Sequence, residues 1–331
     1  MKQAVLYGAG DLRLEERPLD ISTLATDQVY VETEVTALST GTDLGNFEGR
    51  STEVPGAPGY PRAVGYSNAG VVVKVGSAVT RLSPGQRVFS TRPHQSVFLA
   101  RETELLVPVP EGVSSEEASL SYLAQLGMAA LQQAHYQPGE TVTVIGLGVI
   151  GLATVALARA MGARVTAIAN SPVRAAAASR VGADEVFIGN CPGNAADVVV
   201  LTANTWDAYR TAVETARYGG RVAVLGFPGR AQDPPSFNPL DAKWFYGKQL
   251  TLIGAGFSPK TDCDPWEIRF NLRRNLACIL GWMAARTVAL DSIITHRLPA
   301  ERMLEAYELA RQHSKELIAA VFDWRPERAG Q

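Results

Sequence analysis

Three glycines constrain the fold of this 331-residue chain more than any other feature. Gly146, Gly148 and Gly151 stand in TVTVIGLGVIGLATVALARAMGARVTAIANS, directly after an apolar run, at the mouth of an Ala-rich helical stretch, and ahead of a second apolar run. In a complete strand-helix-strand unit, GxGxxG has a physical reading: Gly146 makes the tight turn, Gly148 lets a ligand approach the backbone, and Gly151 lets helix and strand pack closely. The helix opened by Val149 and Ile150 offers free N–H groups and a partial positive charge, which suit a pyrophosphate. A dinucleotide site in a doubly wound parallel sheet is the expectation.

The text around the motif agrees. Between about 140 and 255, short apolar runs (TVTVIG, RVTAIA, EVFIG, DVVVL, RVAVLG, QLTLIGA) alternate with helical stretches, including one near 205–217. That alternation implies a parallel sheet with right-handed crossovers. Before residue 115 the chain reads QAVLY, VYVETEV, AGVVVKVG, QRVFS, SVFLAR and LLVPVP between Gly, Pro and Ser clusters, an irregular β domain. Ser114-Ser115-Glu116-Glu117 is a helix-start signal. Near the end, a helix-rich stretch (about 265–286) precedes a strand-like piece and a helix, DSIITHRLPAERMLEAYELARQH, expected to rejoin the first domain.

The choice of dinucleotide falls at the end of the second strand, where an NAD site presents a carboxylate to the ribose. Here Asn170, Ser171 and Arg174 stand instead. Nothing there repels a 2′-phosphate, and Arg174 can pair with one, so NADP(H) is preferred over NAD(H). Ser171-Pro172 also reads as a helix N-cap followed by Pro at the first helical position. Further contacts are expected at the carboxyl ends of later strands: Thr202 and Asn204, Gly226 and Phe227, Gly254 and Ala255.

A formal net charge of −2 with no basic run gives no reason to expect nucleic acid or an anionic membrane as partner. The opening residues lack the apolar core of a secretory signal and no run could span a bilayer, so the expected compartment is cytoplasmic. Cys191, Cys263 and Cys278 are scattered, which argues against disulfides and a sulfur-ligated zinc.

The likeness to the medium-chain dehydrogenase/reductase superfamily runs over nearly the whole chain. It is carried by AGVVVKVGSAV with PGQRV, by ELLVPVPEGVSSEEAS, by the glycine motif and by YGGRVAVLG. The resemblance implies an α/β fold, a GroES-like β domain (1–118, completed by 288–331) and a Rossmann domain (119–287), with hydride transfer in a cleft between them. It also locates departures. Where zinc-dependent members keep Cys-Gly-Thr/Ser-Asp, this chain has Thr40-Gly41-Thr42-Asp43; where they keep Gly-His-Glu, it has Gly65-Tyr66-Ser67; and 88–107 contains no Cys for a structural zinc. Neutral hydroxyls are poor zinc ligands, so no metal is expected. The pair STGT plus GYPxxxGY is similar to a zinc-free branch that includes bacteriochlorophyllide a dehydrogenase and polyol or cyclitol dehydrogenases.

Carbonyl reduction builds negative charge on oxygen, which must be stabilised or protonated. The resemblance places Thr42 where zinc enzymes keep a proton-relaying hydroxyl and Tyr66 where they keep a ligand; Thr40 is a third catalytic candidate. The competing reading of Tyr66 is packing in the space left by zinc. Asp43 is expected to anchor its own loop, while His94 and His296, as loop histidines, are expected at the surface. Trp244, Phe245, Tyr246, Trp266, Phe270 and Trp282 are expected to pack in the core rather than line the substrate pocket. The activity expected is reduction or oxidation of a polyfunctional alcohol or ketone. A quinone or enoyl reductase and a non-catalytic nucleotide-binding protein are the alternatives. QLTLIGAGF, as an apolar edge strand, points to a homodimer joined through the sheet edge.

Overall fold

The computed structural model describes residues 1–22, 24–50, 59–189, 191, 193–230, 232–259 and 270–326. Cys263 and Trp266 lie outside the described residues. The chain divides into two compact units, Met1–Tyr122 with Leu276–Ala285 and Ile294–Gln331, and Leu123–Asn275 with Arg286–Ile293.

The second unit is built on a six-stranded sheet in the order Glu185–Ile188, Arg164–Ala169, Thr141–Ile145, Ala196–Leu201, Ala216–Val224, Thr251–Gly254. Every pairing is parallel. Runs such as TVTVI and ADVVVL are apolar throughout because both faces of a parallel sheet are covered. Strand order reverses between Thr141–Ile145 and Ala196–Leu201, so the crevice at their carboxyl ends is the switch point where such sheets bind ligands. The helix expected near 205–217 stops at Thr215, and Ala216 already belongs to the next strand. Lys248 closes that helix, its Nζ donating to the Val213 and Glu214 carbonyls at 2.8 and 2.9 Å.

The first unit holds a three-stranded sheet, Asp11–Glu16, Lys2–Gly8, Arg62–Ala63, and a seven-stranded sheet. The longer sheet runs Ile294–Pro299, Ala319–Asp323, Gln28–Ala37, Asn68–Val75, Arg87–Ser90, Leu106–Pro108, and Val97–Arg101 also pairs with Gln28–Ala37. Its strand Ala319–Asp323 was not anticipated from the sequence. It lies parallel to Ile294–Pro299 and antiparallel to Gln28–Ala37, completing the first unit from the far end of the chain. Behind it Phe47, Tyr307 and Phe322 form an aromatic core, with Tyr307 stacked on Phe322 at 6.4 Å and tilted against Phe47 at 5.3 Å.

Several expectations need correction. The hydroxyl-rich stretch at 36–50 is no simple loop: Thr42–Phe47 is a short helix that buries Leu44 and Phe47. Asp11–Glu16 is a strand whose alternation LRLE was overlooked. Of the aromatic cluster only Trp244 packs in the core; Phe245, Tyr246 and Phe270 are exposed, and Trp282 is half-buried. Among the described residues, no helix is long and apolar enough to cross a membrane.

Candidate functional site

The glycine motif lies at the switch point and its backbone is locked from within. Gly146 has φ of +91°, a conformation that disfavours any side chain, and a Cβ on Gly151 would lie 1.8 Å from the Gly146 carbonyl oxygen. The Thr202 hydroxyl donates to that same carbonyl at 2.5 Å, tying the turn to the neighbouring strand. Gly148 differs: a Cβ there would meet only Arg174 Nη1, at 3.8 Å, so its outer face is open. It begins the Val149–Ala160 helix with no side-chain cap, leaving the N–H groups of Val149 and Ile150 available to an anion.

The second strand ends as the sequence suggested, with one qualification. Ser171 is buried and its oxygen accepts the Arg174 amide, so it serves as helix N-cap ahead of Pro172. Asn170 is exposed. The Arg174 guanidinium reaches back across the glycine turn, Nη1 donating to the Leu147 carbonyl at 2.7 Å. Asn204 works on its own loop, its side-chain oxygen accepting the Phe227 amide and its carbonyl the Gly229 amide, both at 2.8 Å. Gly226 has no room for a side chain, since a Cβ would come 2.4 Å from the Ala203 carbonyl. Phe227 is exposed, Gly254 is open, and the Ala255 amide donates to Val224 at 2.9 Å.

The other group of candidates belongs wholly to the first unit. Asp43, 1% exposed, accepts the Ser39 amide on Oδ2 at 3.0 Å and the Gly65 amide on Oδ1 at 3.2 Å, so its role as a loop anchor holds. Tyr66 donates its phenolic hydrogen bond to Ser39 Oγ at 2.5 Å, and its ring meets Tyr122 edge-on at 5.1 Å. Thr42, at the exposed start of the short helix, and half-buried Thr40 complete the cluster. Burial of the phenol end, reinforced by the charge of Asp43, holds the Tyr66 pKa well above the usual tyrosine value, while hydrogen bonding to Ser39 and Thr42 works in the other direction. Tyr66 is therefore a neutral hydrogen-bond donor.

His94 reverses its expectation. It is fully buried, with Nδ1 sharing a 2.8 Å hydrogen bond with Thr36 Oγ1, which also accepts Trp324 Nε1. Burial lowers its pKa to about 3, so the imidazole is neutral and its 3.8 Å approach to Asp43 is not an ion pair. Its ring packs so closely on Gly65 (φ +87°) that a Cβ there would lie 2.6 Å away. His296 is half-buried in the strand Ile294–Pro299. Sequence reasoning missed the pairing of Ser39 with Tyr66 and of Tyr66 with Tyr122. Hydroxyl enrichment in TALSTGTD was the one signal, and it named no partner.

Two family descriptions match the chain: "Alcohol dehydrogenase GroES-like domain" over residues 25–111 and "Zinc-binding dehydrogenase" over residues 149–269. Sorbitol dehydrogenase of Rattus norvegicus is 25% identical over 353 residues, covering 93% of this chain and 92% of that protein. Sorbitol dehydrogenase of Bacillus subtilis (strain 168) is 25% identical over 366 residues, covering 97% and 96%. Among solved structures, galactitol-1-phosphate dehydrogenase from Escherichia coli superposes with a TM-score of 0.80 at 20% identity, covering 98% of this chain and all of that one.

The burial of Asp43 has a consequence for stability. Desolvation pushes its carboxyl from 3.8 up to about 6, against the opposing pull of the Ser39 and Gly65 amides and the Arg62 charge. The folded state thus holds this proton more tightly than the unfolded state. The stability it contributes is fully present below the unfolded value and is lost as pH rises through about 6. Relative to Asp43→Asn, which cannot titrate, the wild type should lose denaturation midpoint between about pH 5 and about pH 7.5. A wild-type advantage that grows over that interval would show that the amide hydrogen bonds outweigh burial.

Proposed function

Because the chain belongs to the medium-chain, zinc-binding-type alcohol dehydrogenase superfamily, we propose that it is an NADP(H)-dependent oxidoreductase interconverting a polyhydroxylated alcohol and its ketone without a zinc ion. The observation that carries this reading is the Tyr66 phenol, a neutral donor clamped on Ser39 at the position where the superfamily keeps a zinc ligand. The names of the sorbitol and galactitol-1-phosphate dehydrogenases support a polyhydroxylated substrate.

Bound at the glycine motif, the nicotinamide cofactor supplies or receives the hydride. The chain's own residues do the rest. Gly148 and the uncapped helix behind it would hold the pyrophosphate. Arg174, half-buried beside an exposed Asn170, provides a cation for a 2′-phosphate, with no carboxylate at the strand end to oppose one. Tyr66, with exposed Thr42, would donate to the substrate oxygen as charge develops there.

The residues where zinc members keep their ligands do not fit a zinc ion. The Tyr66 phenol is held neutral and spent on Ser39, the Ser67 hydroxyl donates to the Ser119 carbonyl at 2.7 Å, and both oxygens of Asp43 accept amides. Among the described residues, no group of three or more His, Cys, Asp or Glu side chains could hold a metal. Hydrogen-bond donors would therefore take the place of the Lewis acid.

The strand Thr251–Gly254 is the outer strand of its sheet, partly exposed and paired on one side with Ala216–Val224. We propose that a second copy covers this edge. Solution scattering should give the mass of a dimer, and a monomer at every concentration would refute it.

On a panel of polyols, ketoses, quinones and enones, turnover should be confined to the polyhydroxylated alcohols and ketones. Replacing Tyr66 with Phe, and separately Thr42 with Val, should each lower kcat by roughly 100-fold, the worth of one donor to a developing oxyanion. Full kcat in both variants would reduce Tyr66 to packing, and about one zinc per purified chain would replace this mechanism with a metal-dependent one. The KM for NADPH should lie well below that for NADH, and Arg174→Ala should erase the difference by raising the NADPH value alone. A clear NADH preference in the wild type would refute the cofactor assignment.

A further inference from the structure

The hydrogen bond between Tyr66 and Ser39 joins residues 27 positions apart, and the surrounding contacts show how it is kept. Asp43 ties down both partners at once. One carboxylate oxygen holds the backbone of Ser39; the other holds Gly65, the residue before Tyr66. The Asp43 amide in turn donates to the Ser39 carbonyl at 3.0 Å, closing a ring around the turn. Gly65, with its positive φ and the His94 ring against it, cannot shift without a clash. On the far side the Tyr122 ring blocks rotation of the Tyr66 ring. The phenol oxygen and the Ser39 hydroxyl thus have fixed positions relative to one carboxylate.

Ser39 is 2% exposed, so it is too deep to be a substrate contact. Its oxygen accepts the Tyr66 hydroxyl at 2.5 Å and the Thr42 amide at 3.4 Å, using both lone pairs and keeping its own proton to donate. The geometry points to Ser39 as a positioning residue for Tyr66: its hydroxyl aims the phenol and stabilises the oxygen left behind when the phenol's proton leaves. This rests on the reading of Tyr66 as donor to the substrate oxygen.

The step balances. In the reduction direction, hydride from the reduced nicotinamide forms the new C–H bond, and the carbonyl π pair moves to oxygen. The Tyr66 O–H bond breaks, its proton forms the substrate O–H bond, and its electron pair stays on the phenolate. The Ser39 hydroxyl then turns to donate to that phenolate, which recovers a proton from solvent water. Such help is needed because burial and the Asp43 charge both oppose a phenolate at this site, while hydrogen bonds from Ser39 and Thr42 favour it.

The test uses the full-length chain labelled with 13C at tyrosine Cζ, the Tyr66 signal being assigned by its loss in Tyr66→Phe. Ser39→Ala should shift this signal and abolish a slowly exchanging phenolic proton, whereas Ser39→Thr, which restores a hydroxyl, should preserve both. This arm needs no substrate, and an unchanged signal in Ser39→Ala would overturn the inference. Should Ser39→Ala fail to fold, Ser39→Cys, similar in size but a weak acceptor, takes its place.

The kinetic arm uses NADPH with dihydroxyacetone as the ketone probe. Ser39→Ala should lower kcat by roughly 10- to 100-fold, the worth of a hydrogen bond to a charged oxygen, with KM little changed. Ser39→Thr should recover most of it, and Ser39→Ala should cost nothing more in a Tyr66→Phe background. Two failures are distinguishable. A fully active Tyr66→Phe removes the donor reading and this inference with it. Impaired Tyr66→Phe with fully active Ser39→Ala, or losses that multiply in the double variant, removes the Ser39 inference alone.

Discussion

Asp43 reaches Ser39 with one oxygen and Gly65 with the other, and the arrangement of the hydroxyl cluster follows from those two contacts. A carboxylate with 1% of its surface exposed carries a desolvation cost that only hydrogen bonds can offset. Both amides come from turns that would otherwise have buried N–H groups to satisfy, so the carboxylate and the turns need each other. The short helix Thr42–Phe47 then drives Phe47 into the aromatic core with Tyr307 and Phe322, fixing the cluster to a strand that arrives from the end of the chain.

The glycine turn of the second unit is organised on a different principle. There the backbone is held by close approach: Gly151 against the Gly146 carbonyl, the Thr202 hydroxyl on that same carbonyl, and Arg174 on the carbonyl of Leu147. Because these contacts exist without a ligand, the turn has little conformational freedom left to lose on binding, which favours affinity. Some residues first read as ligand contacts thereby acquire structural duties. Thr202, Asn204 and Ser171 hold backbone groups, and Gly226 makes room for a neighbouring carbonyl.

The two organisations suit the chemistry proposed. Binding a dinucleotide calls for backbone N–H groups aimed at a phosphate, which glycines and a helix end supply. Polarising a carbonyl oxygen calls for a donor whose direction is set in advance, because a free hydroxyl wastes its dipole on solvent. Neutral hydroxyls gain this only through a second layer that holds them, and here Ser39, Tyr122 and Asp43 form it.

The sequence alone was enough to establish the parallel sheet, its glycine turn, the N-cap at Ser171 and the return of the C-terminal segment to the first unit. These follow from local rules: period, spacing and the conformational freedom of glycine act over a few residues and leave a mark in the text. It was not enough for the strand Ala319–Asp323, for the helix at Thr42–Phe47, or for the burial of His94. The first looked like an ordinary apolar tail, the second like a hydroxyl-rich loop, the third like a surface histidine. Each was decided by partners far away in the chain: Gln28–Ala37 for the strand, the Tyr307 and Phe322 rings for the helix, and Thr36 and Gly65 for the imidazole. Hydroxyl and carboxyl groups can satisfy themselves with water or with almost any neighbour, so their types alone name no partner. Only the packed structure removes the water and leaves Tyr66 with Ser39, and Ser39 with Asp43.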